Sequence, residues 1–348
     1  MKIAIDISPL SSGHKVRGTG FYLHHLKSSL LKYYPENQYD FFIEEKNIRM
    51  PQIIHYPYFD PFQITLPIRK TSKRVVTVHD LIPIVYPKNF PKGVKGLFKW
   101  QLQKTALRNT DAIITDSIAS KTDILRFTNI PEKIVHVVYL AAGEEFKLRE
   151  NGKINTKITK KYALPEKFVL YVGDITWNKN LPNLIYAIKE LDISLVIVGK
   201  ALSDDTFDSK NPWNTDLVTV RKLIHKDERF IRLGFIPQMD LVSLYQAATL
   251  LAMPSRYEGF GLPILEAMQS GCPVVTSKTG SLSEVAGESA YFVDPDDISN
   301  IARGISEVLS SEIIQKKLSQ KGIEQAKKFS WKKTARETIE VYDKVLRN

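Results

Sequence analysis

Two glutamates spaced eight residues apart mark the segment whose residue types are best suited to chemistry. Glu258 and Glu266 lie in PSRYEGFGLPILEAMQSGCPVV (254–275), where an apolar stretch leads through two glycines into a helical pattern. The proline after Leu262 suits the first turn of a helix, so the amides at Gly261 and Leu262 should point, with the helix dipole, at an anion. We expect Glu266 in that first turn, where its carboxylate can accept hydrogen bonds from sugar hydroxyls.

Each glutamate also has an ordinary structural explanation. An isolated Glu258 would be a solvated loop residue, and an isolated Glu266 would stabilise the positive end of its helix. Two carboxylates that flank the turn G-F-G-L-P and a helix start are more specific than either residue alone. The segment therefore predicts a site for a ligand that carries both hydroxyls and an anionic group.

A lysine follows another apolar stretch, in the segment WNKN (177–180). If that stretch is a strand, Lys179 lies near its carboxyl end, where the ammonium can neutralise an anionic ligand. The alternative is a solvated surface lysine, which describes most of the lysines in this chain. Arg256, two residues before Glu258, is a second candidate cation for the same anion.

The first half of the chain offers a glycine pair and a histidine. Gly18 and Gly20 precede a helical pattern, and glycine amides at a helix start can meet a phosphate or a sugar, although an ordinary tight turn explains them equally well. Leu23 occupies the place of the third glycine of a dinucleotide fingerprint, which argues against hydride transfer. His79 ends an apolar stretch and is either a ligand of the substrate or a buried, hydrogen-bonded histidine.

Twelve short apolar stretches, rich in β-branched residues, alternate with amphipathic ones. Several are apolar almost throughout, which is typical of strands buried on both faces of a parallel sheet. Helical periodicity fills the intervals, so the pattern predicts two doubly wound α/β domains, joined by the polar linker 146–167. Ligands of such sheets bind beyond the carboxyl ends of the strands. The predicted strands are 2–7, 39–44, 53–57, 74–80, 112–117, 134–140, 168–173, 194–199, 230–235, 250–255, 273–277 and 290–294.

Composition excludes several classes of protein. The chain has 348 residues, 43% of them apolar and 25% charged, which is ordinary for globular domains and excludes disorder or collagen. A single cysteine, Cys272, forbids an internal disulfide. Asp6 interrupts the short apolar start, which predicts a first strand and no signal peptide, and no stretch approaches the length of a membrane span. We expect a cytoplasmic protein.

The positive charge is unevenly distributed. The formal net charge is +11, and residues 1–150 contain 22 basic and 14 acidic residues. Ten Lys or Arg and a single acid, Asp80, lie in 69–108. Within 88–108, lysines at helical spacing are interleaved with aromatic residues, which favours either an interfacial helix on anionic lipid or a solvated helix face. No recognised nucleic-acid motif accompanies the charge, so nucleic acid is not an expected partner.

Taken together, these segments resemble the retaining nucleotide-sugar glycosyltransferases of family four, which have the GT-B fold. The family signature E-x7-E matches EGFGLPILE (258–266) in full. One departure is Asn178, which stands where the family normally has an arginine. The resemblance extends over most of the chain, through RGTGFYLHHL, VTVHDLIP, YVGDITWNKNLPNLI, VIVGK, RLGFIP and FSWKKTARETIEVYDKVL.

The resemblance implies a fold and an activity. The fold is α/β, with two Rossmann-like domains that face each other across a cleft and a helical C-terminal tail. We expect an acceptor-side domain at 1–150, a donor-binding domain at 151–328 and a last helix at 329–348 that packs back towards the first domain. The implied activity is transfer of a hexose, such as mannose, from a GDP- or UDP-linked donor to a glycan or lipid-linked acceptor, with retention.

The resemblance also assigns roles to residues. It implies that Glu258 holds the donor sugar, that Glu266 binds the ribose and that His79 lies over the sugar. With Lys179, Glu258 and His79 form the predicted catalytic set. No metal or other cofactor is expected, because Lys179 and the Gly261 amide can neutralise the diphosphate. The other predicted donor contacts are Phe260, Gly261, Leu262, Arg256, Gly18, Gly20, Gly199 and Lys200. Two alternatives stay open: an epimerase or hydrolase of the same fold, and a non-catalytic sugar-nucleotide-binding protein.

Overall fold

The chain folds into two compact units, each built on a parallel sheet. The computed structural model describes residues 1–11, 13, 18–44, 50–148, 156–202 and 206–347. One unit comprises Met1–Ala141 with Phe329–Asn348, and the other comprises Ala142–Lys328. Each contains a sheet of six strands, all parallel to their neighbours. The predicted class, two Rossmann-like domains with a helical C-terminal tail, is confirmed.

The sheet of the first unit has the strand order β2-β1-β3-β4-β5-β6. Strand order along the sheet reverses between β1 and β3, and doubly wound sheets bind ligands at this switch point. The strands β3, β4 and β5 are almost wholly buried, as expected for strands covered by helices on both faces. The elements are β1 Lys2–Asp6, α1 Gly18–Tyr33, β2 Gln38–Phe42, β3 Ile53–Tyr56, β4 Lys73–Thr77, α2 Ile82–Val85, α3 Gly93–Arg108, β5 Ala112–Thr115, α4 Ile118–Thr128, β6 Val135–Val137 and α13 Trp331–Arg347.

The sheet of the second unit has the order β12-β11-β10-β7-β8-β9, the arrangement of a dinucleotide-binding sheet. Its direction reverses between β7 and β10, so the turns that follow these two strands meet at the switch point. The elements are α5 Thr156–Lys161, β7 Phe168–Val172, α6 Leu181–Lys189, β8 Ser194–Val198, α7 Thr215–Leu223, β9 Phe230–Gly234, α8 Gln238–Ala247, β10 Leu250–Met253, α9 Leu262–Gln269, β11 Val274–Thr276, α10 Leu282–Ala286, β12 Tyr291–Phe292, α11 Ile298–Ser310 and α12 Glu312–Ala326.

The division between the units falls at Ala141 and Ala142, earlier than the predicted boundary at 150. The segment that follows packs on the second unit. Gln269 donates a hydrogen bond to the Gly143 carbonyl at 2.9 Å, and the Phe146 ring meets Tyr245 edge-on. The predicted linker 146–167 therefore belongs to the second unit where the structure describes it, and it contains α5; residues 149–155 lie outside the described part.

The last helix, α13, lies in the first unit. It begins after Ser330, whose Oγ accepts a hydrogen bond from the Lys333 amide at 3.2 Å and so caps the helix. Its Trp331 ring stacks on His25 of α1, with ring centroids 4.9 Å apart. Further along, Tyr342 contacts His55 of β3 through a hydrogen bond of 2.7 Å. The end of the chain is thus part of the core of the unit in which the chain begins.

Across the described ranges, none of the helices combines the length and the apolar character that crossing a membrane requires.

Candidate functional site

Glu258 and Lys179 lie at the switch point of the second sheet. Lys179 belongs to the turn after β7, and Glu258 belongs to the turn after β10. The Lys179 ammonium donates to both carboxylate oxygens of Glu258 at 2.8 Å. Ser255, two residues after β10, donates to Glu258 Oε1 at 2.8 Å. Glu258 is 5% exposed, so its charge is stabilised by these contacts rather than by water.

Asn178 joins the two turns. Its side chain donates to the Tyr257 carbonyl at 3.1 Å, and its own carbonyl accepts from the Arg256 amide at 2.7 Å. The Thr176 hydroxyl donates to the side-chain oxygen of Asn178, Oδ1, at 2.8 Å. The residue that replaces the expected arginine is therefore buried and positions the backbone around Glu258. The neutral amide of Asn178 does not replace the positive charge that an arginine would offer to a ligand.

The glycine-rich turn is shaped by close backbone contacts. Gly261 precedes α9 with φ of 101°, a conformation that favours glycine, and a Cβ there would lie 2.9 Å from Leu282. Gly280 approaches so closely that its Cβ would lie 2.7 Å from the Glu258 carbonyl oxygen. Ser281 donates from Oγ to the carbonyls of Glu258 and Phe260, at 3.0 and 2.8 Å. These contacts fix the carbonyls on one side of the turn. Leu262 begins the helix, so the proline after it lies in the first turn, as predicted.

Glu266 lies deeper than predicted. It is the fifth residue of α9 and so belongs to the second turn, because a turn takes 3.6 residues; the expected place in the first turn was wrong. The Tyr245 hydroxyl donates to its Oε2 at 2.9 Å. Burial raises the pKa of Glu266 to about 7, opposed by the Tyr245 hydrogen bond and assisted by the negative charge of Glu145. A ribose that donated hydrogen bonds to this carboxylate would favour its ionised form.

Arg256 is already paired. Its Nε donates to Asp296 at 2.9 Å, and its guanidinium lies over the Trp177 ring, 5.3 Å from the centroid. Asp296 is 73% exposed, so this surface ion pair contributes little to stability. Arg256 stays a predicted donor contact whose charge is held beside the turn that carries Lys179.

The turn after β8 meets the same edge of the sheet. Gly199 follows β8, and a Cβ at this position would collide with the Gly173 carbonyl oxygen, so only glycine allows this close approach. Lys200 follows in a single 3-10 turn and is exposed. Both residues stay predicted contacts of the donor base. The carboxyl edge of the second sheet thus carries the predicted residues Lys179, Gly199, Lys200, Arg256, Glu258, Phe260, Gly261 and Leu262.

In the first unit, the predicted residues lie at the carboxyl edge of the first sheet. Gly18 begins α1, with Gly20 in its first turn, so the helix starts slightly earlier than predicted. His79 follows β4, and its Nδ1 lies 2.7 Å from Asp116 Oδ2, after β5. Burial lowers the pKa of His79, but the charge and the hydrogen bond of Asp116 outweigh burial and raise it overall. Burial also raises the pKa of Asp116.

Several residues that contact the predicted site residues were not identified from the sequence. No distinguishing spacing marks Asp116, Tyr245, Ser255 or Ser281. Ser255 acts within its own turn, and the other three act on residues of other elements. Among the described residues, no group of three or more His, Cys, Asp or Glu side chains is arranged to hold a metal ion.

Family models cover both units. Residues 13–142 match the model described as Glycosyltransferase Family 4, and residues 154–329 match the model described as Glycosyl transferases group 1. The chain belongs to the group 1 glycosyltransferases of family 4. This glycosyltransferase carries the two glutamates of its motif on the turn after β10 and on helix α9.

Relatives of the glycosyltransferase include mannosyltransferases of Escherichia coli. The O-antigen chain mannosyltransferase B is 32% identical over 297 residues, which cover 82% of this chain and 74% of that protein. The serotype-specific mannosyltransferase WbdA is 28% identical over 83% of this chain, and the match spans only 36% of that much longer protein.

Solved structures of similar fold cover the glycosyltransferase almost completely. A sucrose-phosphate synthase from Thermosynechococcus elongatus has a TM-score of 0.75 at 18% identity, with 99% of each chain covered. The HepE protein of Anabaena, solved with UDP and glucose, has a TM-score of 0.75 at 17% identity, again with 99% of each chain covered. At such low identity these likenesses show the GT-B type of fold alone.

Proposed function

We propose that this glycosyltransferase moves mannose or a similar hexose from a GDP- or UDP-linked donor to a glycan or lipid-linked acceptor, in the synthesis of a cell-surface polysaccharide or glycolipid. The observation that carries the proposal is the Lys179–Glu258 pair, whose Nζ–O distances are 2.8 Å, at the switch point of the second sheet. The similarity to mannosyltransferases supports the choice of sugar.

The proposed mechanism is electrostatic and positional. The donor diphosphate lies against the Gly261 and Leu262 amides and the Lys179 ammonium, while Glu266 accepts hydrogen bonds from the ribose. The acceptor hydroxyl attacks the anomeric carbon on the face that the diphosphate leaves. The new C–O bond forms as the bond to the phosphate oxygen breaks, and that oxygen takes the hydroxyl proton. Retention then needs no enzymic nucleophile, and Glu258 holds the sugar in place.

Two measurements test the function. UDP-, GDP-, ADP- and dTDP-sugars are first compared by thermal shift, since a nucleotide that binds the folded state at 100 times its Kd stabilises it by about 2.7 kcal/mol. The donor that stabilises the protein is then incubated with and without acceptor glycans. We expect transfer only with an acceptor and an unchanged anomeric configuration. Conversion of the donor alone would indicate an epimerase or hydrolase, and stabilisation without turnover would indicate a binding protein.

A lipid surface is the proposed second partner. Helix α3 exposes Val94 (83%), Phe98 (67%) and Leu97 (45%) between lysines. The segment 62–68, which packs beside this helix, exposes Ile64 (58%) and Ile68 (60%). Exposed apolar side chains ringed by cations fit a membrane of anionic lipid better than they fit water or nucleic acid.

Buried Gln103 holds these two parts of the surface together. Its Oε1 accepts from the amides of Thr65 and Leu66, both at 2.9 Å, and its Nε2 donates to the Leu66 carbonyl at 3.1 Å. Phe62 also packs close to Gly96 of the helix. The segment and the helix therefore present one surface, and a lipid-linked acceptor would be met on the membrane that this surface contacts.

Flotation with vesicles tests the lipid partner. The protein should float with vesicles that contain phosphatidylglycerol at low salt and remain behind with phosphatidylcholine alone. Each lysine near an anionic surface contributes about 1 kcal/mol, so replacing Lys92, Lys95 and Lys99 by glutamine should abolish flotation. The matched control replaces the exposed Lys316, Lys317 and Lys321 of α12 by glutamine, and this variant should float as the wild type does. Equal flotation of both variants would contradict the proposal.

A further inference from the structure

A buried carboxylate accompanies the predicted substrate histidine of the first unit. His79 and Asp116 follow the neighbouring strands β4 and β5, and Nδ1 of the ring lies 2.7 Å from Asp116 Oδ2. The Asp116 side chain is 4% exposed and the His79 side chain 18%. The aspartate is thus enclosed in the unit, while the histidine reaches the surface at the carboxyl edge of the sheet.

The surroundings fix the ring of His79 in one orientation. Tyr22 of α1 packs edge-to-face on it, with ring centroids 4.9 Å apart. The Tyr22 hydroxyl is in turn 3.0 Å from Thr77 Oγ1, which lies 2.8 Å from His55 Nε2. Ser120 donates to the His79 carbonyl at 2.8 Å, which fixes the backbone. The ring is thus held by Asp116 and Tyr22 on a fixed backbone, and it is positioned for a defined contact.

Two polar atoms of the His79–Asp116 pair are buried without a hydrogen bond of good geometry among the described residues. His79 Nε2 and Asp116 Oδ1 are both enclosed, and neither makes a hydrogen bond of good geometry in the part of the chain that the structure describes, although the backbone carbonyl of Pro57 also interacts with the ring. Buried polar atoms are normally satisfied, and those that are not call for a specific reason. At the ligand-binding edge of a parallel sheet, a ligand that carries hydroxyl or phosphate oxygens supplies that reason.

We propose that Asp116 is a positioning residue for His79: it accepts the Nδ1 proton, and so leaves Nε2 as the nitrogen that meets a hydroxyl or phosphate oxygen of the substrate. The inference rests on the proposed glycosyl transfer and deepens it by one residue. Asp116 itself touches no substrate. It acts by fixing which nitrogen of the ring is engaged and by favouring the protonated ring, which can donate to an oxygen.

The charged groups around the ring favour this role. Asp116 from β5 and Asp80 from the same turn as His79 both raise the pKa of His79, as does the backbone carbonyl of Pro57, while burial lowers it. His55 of β3 is buried and its pKa is lowered to about 3, so it stays neutral and does not compete. Burial raises the pKa of Tyr22 of α1 well above its usual range, so this side chain is a neutral phenol. The carboxylate of Asp116 is the hydrogen-bonded charge that favours protonation.

Asp116→Asn tests the proposal, because asparagine keeps the shape and an acceptor oxygen but removes the charge. We expect kcat to fall about 10- to 100-fold with little change in the KM of the donor, the effect of a slightly misplaced group. The alkaline limb of the pH profile should move to lower pH. Nitrogen NMR of the histidine rings should show the titration of His79 at lower pH as well. In Asp116→Ala no oxygen accepts the Nδ1 proton, so the neutral ring of His79 should also lose its preference for the Nδ1–H tautomer.

Asp111→Asn is the matched control. Asp111 lies just before β5, where it pairs with Lys70 at 2.7 Å, so its replacement should leave kcat and the titration of His79 unchanged. An unchanged titration in Asp116→Asn would overturn the proposal, and so would a shifted titration with full activity. The NMR result does not depend on turnover. A wild-type protein without transfer activity would therefore refute the proposed function separately.

Discussion

Glu258→Gln is expected to lower kcat by about 10²- to 10³-fold, the range seen when one preorganised polar group is removed from an active site. Glutamine preserves the volume of the side chain and can still accept the hydrogen bond from Ser255. It has no charge and only one acceptor oxygen for the Lys179 ammonium, which the carboxylate binds through both oxygens at 2.8 Å. The substitution therefore removes the proposed hold on the sugar and also releases the cation. Steady-state kinetics with saturating donor measure the effect.

The stability of this variant separates function from folding. Breaking a fully buried pair costs about 3–5 kcal/mol, but the Lys179 side chain is 19% exposed, so water can partly solvate it and the loss should be smaller. Glu190→Gln, an exposed position at the end of α6, is the matched control and should leave both kcat and the melting temperature unchanged. A turnover of Glu258→Gln within threefold of wild type would remove Glu258 from the catalytic set.

Lys179→Met should weaken the binding of a nucleoside diphosphate about 10- to 100-fold and lower kcat by a similar factor. Methionine retains most of the length of the side chain without the charge, so the diphosphate loses its point-charge partner in a site from which water is partly excluded. The affinity for the nucleoside without phosphates should change little. Isothermal titration with both ligands, together with kcat, distinguishes the lost charge from a general disturbance.

Two further variants complete this experiment. Lys189→Met removes an exposed lysine at the end of α6 and should behave as wild type. Combining Lys179→Met with Glu258→Gln should cost less than the sum of the single effects, because each single variant leaves its partner without a counter-charge. Additive effects would show that the two side chains act independently, and an unchanged diphosphate affinity in Lys179→Met would reject its assignment.

The arrangement of elements followed closely from the sequence. All twelve apolar stretches contain a strand, and the proline after Leu262 lies in the first turn of α9, as predicted. These features depend on local composition, periodicity and helix-start residues, which a short segment contains in full. The boundary at 150 was less accurate, since it was placed by polar composition, whereas the segment after Ala141 is held by Gln269 and Tyr245 from distant helices.

The motif residues were found from their types and spacing, but their partners were not. The sequence by itself determined two parallel α/β domains, the two glutamates and the lysine, because each belongs to a recognisable segment. Only the tertiary structure decided that Lys179 pairs with Glu258, that Tyr245 donates to Glu266 and that Asp116 holds His79. Strand order brings these residues together from positions 21 to 79 residues apart. Hydrogen bonds and ion pairs of that kind depend on which strands lie side by side, which no local pattern encodes.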